Sequence, residues 1–478
     1  HEAQLRLYSP ESAVVLSDVL PVIENLGLHV LTENPFRIQS TSGRTVFLHI
    51  FDLADHDQRD IEIGKSKSDF ERLFRRIWQG QTDNDGFNRL ALRAQLDWQQ
   101  TTFLRAAYRY LKQIRFRYSQ DYVIETLAGN PHMVQRIVRL FETRFDPGLQ
   151  DERSGALETI RADIQQGLER VANLDEDRIL SAYVNLIEAI LRTNYFQQHN
   201  PQQPERLSFK IDCAAITRMP QPRPMVEIFV FSTRVEAIHL RGGLVARGGL
   251  RWSDRPEDFR TEVLGLVKAQ IVKNAVIVPV GSKGGFIVRR LADCAPNERN
   301  EEVESCYKTF IRGMLDLTDN RDHDSVIPPP RVVRYDQDDP YLVVAADKGT
   351  ATFSDMANEV AAEYGYWLDD AFASGGRTGY DHKAMGITAR GAWESVKRLF
   401  RDLDINTQSQ PFSVVGIGDM SGDVFGNGLL LSRHIRLVGA FNHLHIFIDP
   451  NPDPAASYAE RERLFQMPRS TWEDYDPT

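Results

Sequence analysis

From residue 206 onward this 478-residue chain alternates short β-branched and aromatic runs with helical stretches, and no other feature constrains its fold as much. Strands separated by helices fit an α/β domain built on a largely parallel sheet. The runs 206–211 and 225–240 read as its first strands. A Pro/Gln-rich junction at 200–204 and a proline cluster at 220–224 set them off. Upstream, residues 3–54 read as a βαββ unit. Side chains alternate over 4–8, helical spacing covers 12–28, and 29–38 and 46–53 read as an antiparallel pair. Such a unit is half of a ferredoxin-like module, used both as a small regulatory domain and as plain scaffold. Residues 66–198 are helical almost throughout, with apolar stripes over 66–80, 87–116, 131–145 and 174–195 and with Asn173 as a helix N-cap.

Composition narrows the function classes. With 57 basic and 67 acidic residues the net charge is −10, which disfavours nucleic acid as the main partner. The basic-aromatic stretches at 70–78 and 114–118 therefore read as amphipathic helices rather than a nucleic-acid surface. No apolar run approaches the ~18–20 residues that span a bilayer, so no membrane partner is expected. Cys213, Cys294 and Cys306 lack CxxC or CxxH spacing. That argues against a disulfide framework or a structural zinc site and fits a reducing, cytoplasmic compartment.

Four motifs carry chemistry. R-G-G-L-R-W-S-D-R at 247–255 joins Gly248 and Gly249, which let backbone approach a small ligand closely, to Arg247 and Arg251, whose forked donors suit carboxylates. A Gly-Gly turn flanked by arginines is also common on ordinary surfaces. Ser253 or Asp254 then caps a helix running to about residue 271. K-N-A-V-I-V-P-V-G-S-K-G-G at 273–285 places Lys273 at the helix end, a buried strand over 275–279, and Lys283 on a glycine turn. Desolvation there would lower a lysine pKa and supply a neutral amine, unless both ammonium groups reach outward to water.

Y-L-V-V-A-A-D-K-G-T at 341–350 ends a short strand in Asp347, at the edge where α/β enzymes place reactive groups. The alternative role for Asp347 is N-cap of the helix over 353–364. V-V-G-I-G-D-M-S-G-D-V-F-G at 414–426 follows a strand at 412–415. Its Gly416, Gly418, Asp419 and Met420 open a helix whose N-terminus would take a pyrophosphate. A strand at 444–448 then ends in Asp449, placed for a ribose diol and selective for NAD over a 2′-phosphorylated dinucleotide. His443 and His445 share a face of that strand with no third ligand at suitable spacing. No metal is expected, and ordinary histidines are the better account.

In order, R-G-G-L-R-W-S-D-R, V-G-S-K-G-G-F, D-K-G-T-A-T-F-S-D and G-I-G-D-M-S-G-D-V-F-G-N-G resemble the catalytic region of the large NAD-specific bacterial glutamate dehydrogenases. The resemblance is specific over residues 205–478; over 1–200 it rests on layout. It implies that Lys283 is the catalytic lysine and Asp347 the proton-transferring aspartate. It also implies that Lys273 holds the substrate α-carboxylate, with Arg247 standing where smaller relatives carry a substrate-binding lysine. Thr388 matches a threonine on the nicotinamide carboxamide.

The implied activity is oxidative deamination of L-glutamate to 2-oxoglutarate and ammonia with NAD, in amino-acid catabolism, by a homo-oligomer that an amino-acid effector could regulate. Two other readings stay open: a leucine- or phenylalanine-type dehydrogenase, and a regulatory or binding module without turnover. The expected layout is an ACT-like α+β module over 1–60, a helical region over 61–204, a substrate domain with a mostly parallel sheet over 205–400, and the start of a Rossmann-type domain over 401–478. Since only two strands of that last domain are clear, it reads as incomplete, and the isolated chain is expected to bind NAD weakly and turn nothing over.

Overall fold

The eight residues Ala3–Pro10 (β1) alternate half-buried and exposed side chains, as a strand with one covered face must. The helix α1 (Leu16–Asn25) buries Val19, Val22 and Ile23. The strands β2 (Leu28–Gln39) and β3 (Thr45–Asp55) pair antiparallel, and the sheet order is β1-β3-β2. Leu28, Phe51 and Leu53 close the core from the sheet side, and α2 (Lys67–Trp78) adds Phe70, Leu73, Phe74 and Ile77 to it. The βαββ reading of this stretch holds.

The computed structural model describes residues 3–10, 12–39, 45–56, 67–150, 152–197, 205–273, 280–350, 352–374 and 384–476, without the side chains of Val272 and Lys273. The chain divides into two compact units, 1–374 and 375–478. No helix among the described residues is long and apolar enough to cross a membrane. The three cysteines are free.

The single apolar stripe expected over 87–116 is broken in two. A short α3 (Leu90–Arg93) precedes α4 (Trp98–Gln113), and Asp97 marks the break with a capping box. Its carboxylate accepts from Gln100 N at 2.8 Å, while Gln100 Oε1 accepts from Asp97 N at 3.0 Å. Two N–H groups that the first turn leaves without partners are thereby satisfied. Asp97→Ala should cost about 1 kcal/mol, seen as a lower urea midpoint with an unchanged slope. The helices α5 (Gln120–Gly129), α6 (Pro131–Phe145), α7 (Arg153–Leu168) and α8 (Leu174–Ala189) follow. Asn173 caps α8, its side chain accepting from Asp175 N at 2.9 Å. That helix stops at Ala189 and the chain becomes β4 (Ile190–Thr193), where a continuous helix to Tyr195 was expected. The apolar run A-I-L suits either state, and pairing with a neighbouring strand decides it.

Among the described residues seven strands form the main sheet, in the order β12-β8-β9-β7-β6-β5-β4. They are β4, β5 (Leu207–Asp212), β6 (Val226–Phe231), β7 (Val235–Arg241), β8 (Gly248–Trp252), β9 (Ser282–Val288) and β12 (Val344–Ala346). The expectation of a largely parallel sheet is corrected here. Pairs β4–β5, β5–β6, β6–β7 and β7–β9 are antiparallel; only β8–β9 and β8–β12 are parallel. The run 225–240 is two strands, because Ser232 Oγ takes the N–H groups of Arg234 and Val235 and turns the chain back. So short a link allows only antiparallel pairing, whereas α9 (Phe259–Lys273) provides the crossover that parallel β8 and β9 need.

Helices cover both faces of the sheet. On one, Phe209, Phe229, Ile238 and Leu240 pack with Phe103 and Phe141 of α4 and α6 and with Phe259 and Val263 of α9. The rings of Phe103 and Phe141 stack at 3.8 Å between centroids. The helical region and the sheet that follows the 200–204 junction therefore share one core. On the other face, α10 (Arg299–Leu315) brings Phe310 and Ile311 to Val230, Leu250 and Phe286. A small hairpin of β10 (Asn320–Asp322) and β11 (Ser325–Ile327) precedes β12, and α11 (Ser354–Glu363) follows it.

The second unit begins with α12 (Ile387–Arg401), then β13 (Phe412–Ile417), α13 (Asp423–Leu429), β14 (Ile435–Phe441), β15 (Ile446–Ile448) and α14 (Pro454–Gln466). Its core contains Trp393, Phe412, Met420, Leu437, Leu464 and Trp472. The strand that runs parallel to β13 is β14, which the sequence reading passed over; β15, expected as the second parallel strand, is antiparallel to β14.

Candidate active site

Strand register brings the reactive residues together. In the parallel pairs, Ala346 lies opposite Leu250, Leu250 opposite Gly284, and Arg251 opposite Gly285. Asp347 and Arg251 each follow a paired residue, so their side chains emerge side by side on the face toward α9. Lys283, two residues before Gly285, emerges on the same face. Gly285 makes room for this arrangement, since a Cβ there would stand 2.6 Å from Val263 Cγ2 of α9.

The result is a compact ion-paired site. Lys283 Nζ donates to Asp347 Oδ2 at 2.7 Å. Asp347 Oδ1 accepts from Arg251 Nη2 at 3.0 Å, from Arg251 Nε at 3.3 Å and from Lys348 N at 2.7 Å. The loop after β12 is tied down by Thr350 Oγ1, which accepts from Asp347 N at 3.0 Å and donates to Leu250 O at 2.7 Å. Gly349 adopts φ +81° where a Cβ would meet Trp252 Cβ at 3.1 Å, so this position suits only glycine. The Lys283 and Asp347 side chains are 20% and 11% exposed, sheltered but reachable. Burial alone pushes the Asp347 carboxyl up. The Lys283 bond, the Lys348 N–H and Arg251 outweigh it and hold the carboxyl below the usual aspartate range.

Asp347 does not cap a helix: its carboxylate is engaged by Lys283 and Arg251, and α11 starts after Phe353 with no side-chain cap. Lys283 sits within strand β9, not on a turn. Gly248 and Gly249 do allow close approach, but of protein backbone: a Cβ on Gly248 would overlap Ser282 O, and one on Gly249 would stand 2.7 Å from Ala346 O. Arg247 has an exposed side chain, and its carbonyl accepts from Gln270 Nε2 at 2.9 Å. Lys273 is the last residue of α9; its side chain, like the strand expected over 275–279, lies outside the described residues. The forked donors of Arg251 go to protein carboxylates, Asp347 and Glu262. Glu262 was missed, and nothing local in the sequence marks it. It lies 11 positions from Arg251 and meets it only because α9 folds back over β8.

In the second unit, Gly418 adopts φ +130° and its N–H donates to Phe441 O at 2.7 Å, which ties the end of β13 to the end of β14. The Phe425 ring fills the space beside Gly416 and Gly418 that Cβ atoms would need. Asp419 accepts from Ser421 N at 3.0 Å and from Asn442 Nδ2 at 2.8 Å. Met420 turns its side chain into the core, so only its backbone is left to face a ligand. Thr388 is exposed in the first turn of α12. Asp449 lies away from the glycine turn. The antiparallel course of β15 carries it back along the sheet, where its N–H donates to Val438 O at 3.1 Å. The residue that follows the second parallel strand is Asn442. His443 and His445 precede β15 in the turn rather than sharing a strand face, and among the described residues no three metal-capable side chains converge.

Comparison with known proteins gives a consistent result. A family model described as Bacterial NAD-glutamate dehydrogenase, catalytic domain, matches residues 163–478. Models described as Glutamate dehydrogenase, helical motif 3, and Glutamate dehydrogenase, ACT3 domain, match 82–147 and 1–66. The NAD-specific glutamate dehydrogenase of Halomonas elongata is 57% identical over 474 residues, 99% of this chain and 29% of that protein. That of Pseudomonas aeruginosa is 54% identical over 480 residues, 98% of this chain and 29% of its own length. That of Mycobacterium tuberculosis is 52% identical over 490 residues, 99% of this chain and 30% of its own. The chain thus spans under a third of the length of these relatives.

Proposed function

This chain belongs to the bacterial NAD-glutamate dehydrogenase family, and from that premise we propose that its full-length parent oxidatively deaminates L-glutamate to 2-oxoglutarate and ammonia with NAD. The observation that carries the reading is the 2.7 Å pair of Lys283 Nζ and Asp347 Oδ2, built on adjoining parallel strands and partly open to solvent.

The pair holds one transferable proton on Nζ. When Oδ2 takes it, the neutral amine can accept a proton from the water that attacks the substrate iminium carbon. Asp347 then passes a proton to the nitrogen that leaves as ammonia, and the pair returns to its starting state. Arg247 and Lys273 are assigned to the substrate carboxylates, so that glutamate meets the pair in one orientation and the reaction gains from positioning.

NAD, when bound, supplies the hydride acceptor. The second unit fits a dinucleotide: the tight turn at Gly416 and Gly418 follows the C-terminal end of β13, parallel to β14 and leading into α13. We assign Gly416, Gly418, Asp419 and the Met420 backbone to the dinucleotide, with Thr388 on its carboxamide, in a Rossmann-type domain.

Initial rates of NAD reduction by the full-length enzyme, with glutamate and with leucine at equal concentrations, test the reading. Glutamate should be the faster substrate by at least about 10²-fold, because basic groups meant for a second carboxylate reject an apolar side chain. A leucine rate equal to or above that of glutamate would overturn the substrate assignment.

A further inference from the structure

We propose that Arg251, clamped by Glu262, is a positioning residue that fixes Asp347 for proton exchange with Lys283; the proposal rests on the dehydrogenase reading above. Arg251 divides its fork between two carboxylates. Its Nε and Nη2 reach Asp347 Oδ1, and its Nη1 donates to Glu262 Oε1 at 2.9 Å. Glu262 is itself held, since its other oxygen accepts from Ser253 Oγ at 2.6 Å, and Ser253 Oγ accepts from Arg255 N at 3.1 Å. A polar chain therefore runs from the start of α9, where Glu262 sits in the first turn, through Arg251 to Asp347 and Lys283.

This arrangement has two consequences. Arg251 and Lys348 N saturate Oδ1, so Oδ2 is the oxygen left for Lys283, and the carboxylate cannot exchange its two oxygens without breaking three bonds. The charges also alternate along the chain: Lys283 positive, Asp347 negative, Arg251 positive, Glu262 negative. Among the described residues these are the charged groups that face Asp347, from β9, β8 and α9; α11, the other element near β12, contributes no ion pair to it. Removing the arginine takes away the cation that favours the ionised carboxylate. Neutralising Glu262 leaves that cation less balanced, and so favours the ionised form further.

The two changes should therefore move the enzyme in opposite directions. The test measures the pH profile of kcat/KM for glutamate oxidation by the full-length enzyme as wild type, Arg251→Met, Arg251→Lys and Glu262→Gln. Turnover needs ionised Asp347, so Arg251→Met should shift the acid limb to higher pH by about one unit or more. Arg251→Lys, with a single point charge, should recover part of that shift. Glu262→Gln preserves shape and an acceptor for Arg251, and should shift the limb to lower pH by a few tenths of a unit. A purely structural role would lower the melting temperature and the rate without moving the limb. An unmoved limb in Glu262→Gln, or shifts of the same sign in the Arg251→Met and Glu262→Gln variants, would overturn the proposal while leaving the dehydrogenase reading intact. Absence of glutamate-dependent NAD reduction by the wild type would overturn both.

Discussion

Lys283→Met in the full-length enzyme should lower kcat/KM for glutamate oxidation by about 10²–10⁴-fold, the usual contribution of a positioned acid–base group. Methionine keeps much of the stem and removes the only side-chain donor to Asp347 Oδ2. Arg251 and Lys348 N would still hold Oδ1, so the carboxylate should stay in place with its proton partner gone. Stability should change little, because the pair is partly exposed and solvent screens it. Wild-type kcat/KM in this variant, measured as NADH formation at several pH values, would remove Lys283 from the chemistry. A lower rate accompanied by a collapse in melting temperature would assign it a packing role instead.

Gly248→Ala should have the largest effect on folding, destabilising the chain by at least ~3 kcal/mol. The added methyl has nowhere to go, since it would overlap the carbonyl of Ser282, a backbone atom in the neighbouring strand β9. Relief requires parting the strands that carry Arg251 and Lys283. A useful contrast is Gly265→Ala in α9, where a Cβ meets nothing within 4 Å. There the replacement should stabilise by roughly 0.5–1 kcal/mol, through a smaller loss of backbone freedom on folding. Urea unfolding of the two variants would decide the matter. If Gly248→Ala proved as stable as wild type, the packing account of this glycine would fail.

These glycines show how far local reading reaches. Adjacent glycines after Arg247 mark a place of close approach, and that much is visible in the chain. What approaches is not visible, and in the fold it is Ser282 and Ala346 backbone rather than a small ligand. The second unit shows the same limit from another side. The strand over 412–417 and its glycine turn stand out from their residue types. The partner strand Ile435–Phe441 does not, because Gly439 interrupts it and Phe447 O packs 3.3 Å from where a Cβ would be. Missing it misplaced Asp449 by assigning β15 the wrong direction.

The sequence by itself determined the order of the elements, the βαββ module, the helical region, and the identities of Lys283 and Asp347 as the reactive pair. All of these rest on local periodicity or on residue types within a few positions of one another. Only the tertiary structure decided that the main sheet is mixed, that Lys283 and Asp347 meet across 64 positions, and that Arg251 joins them to Glu262. Strand direction depends on the length of the links, and register on which residues oppose each other across strands, and neither is a property of any short segment.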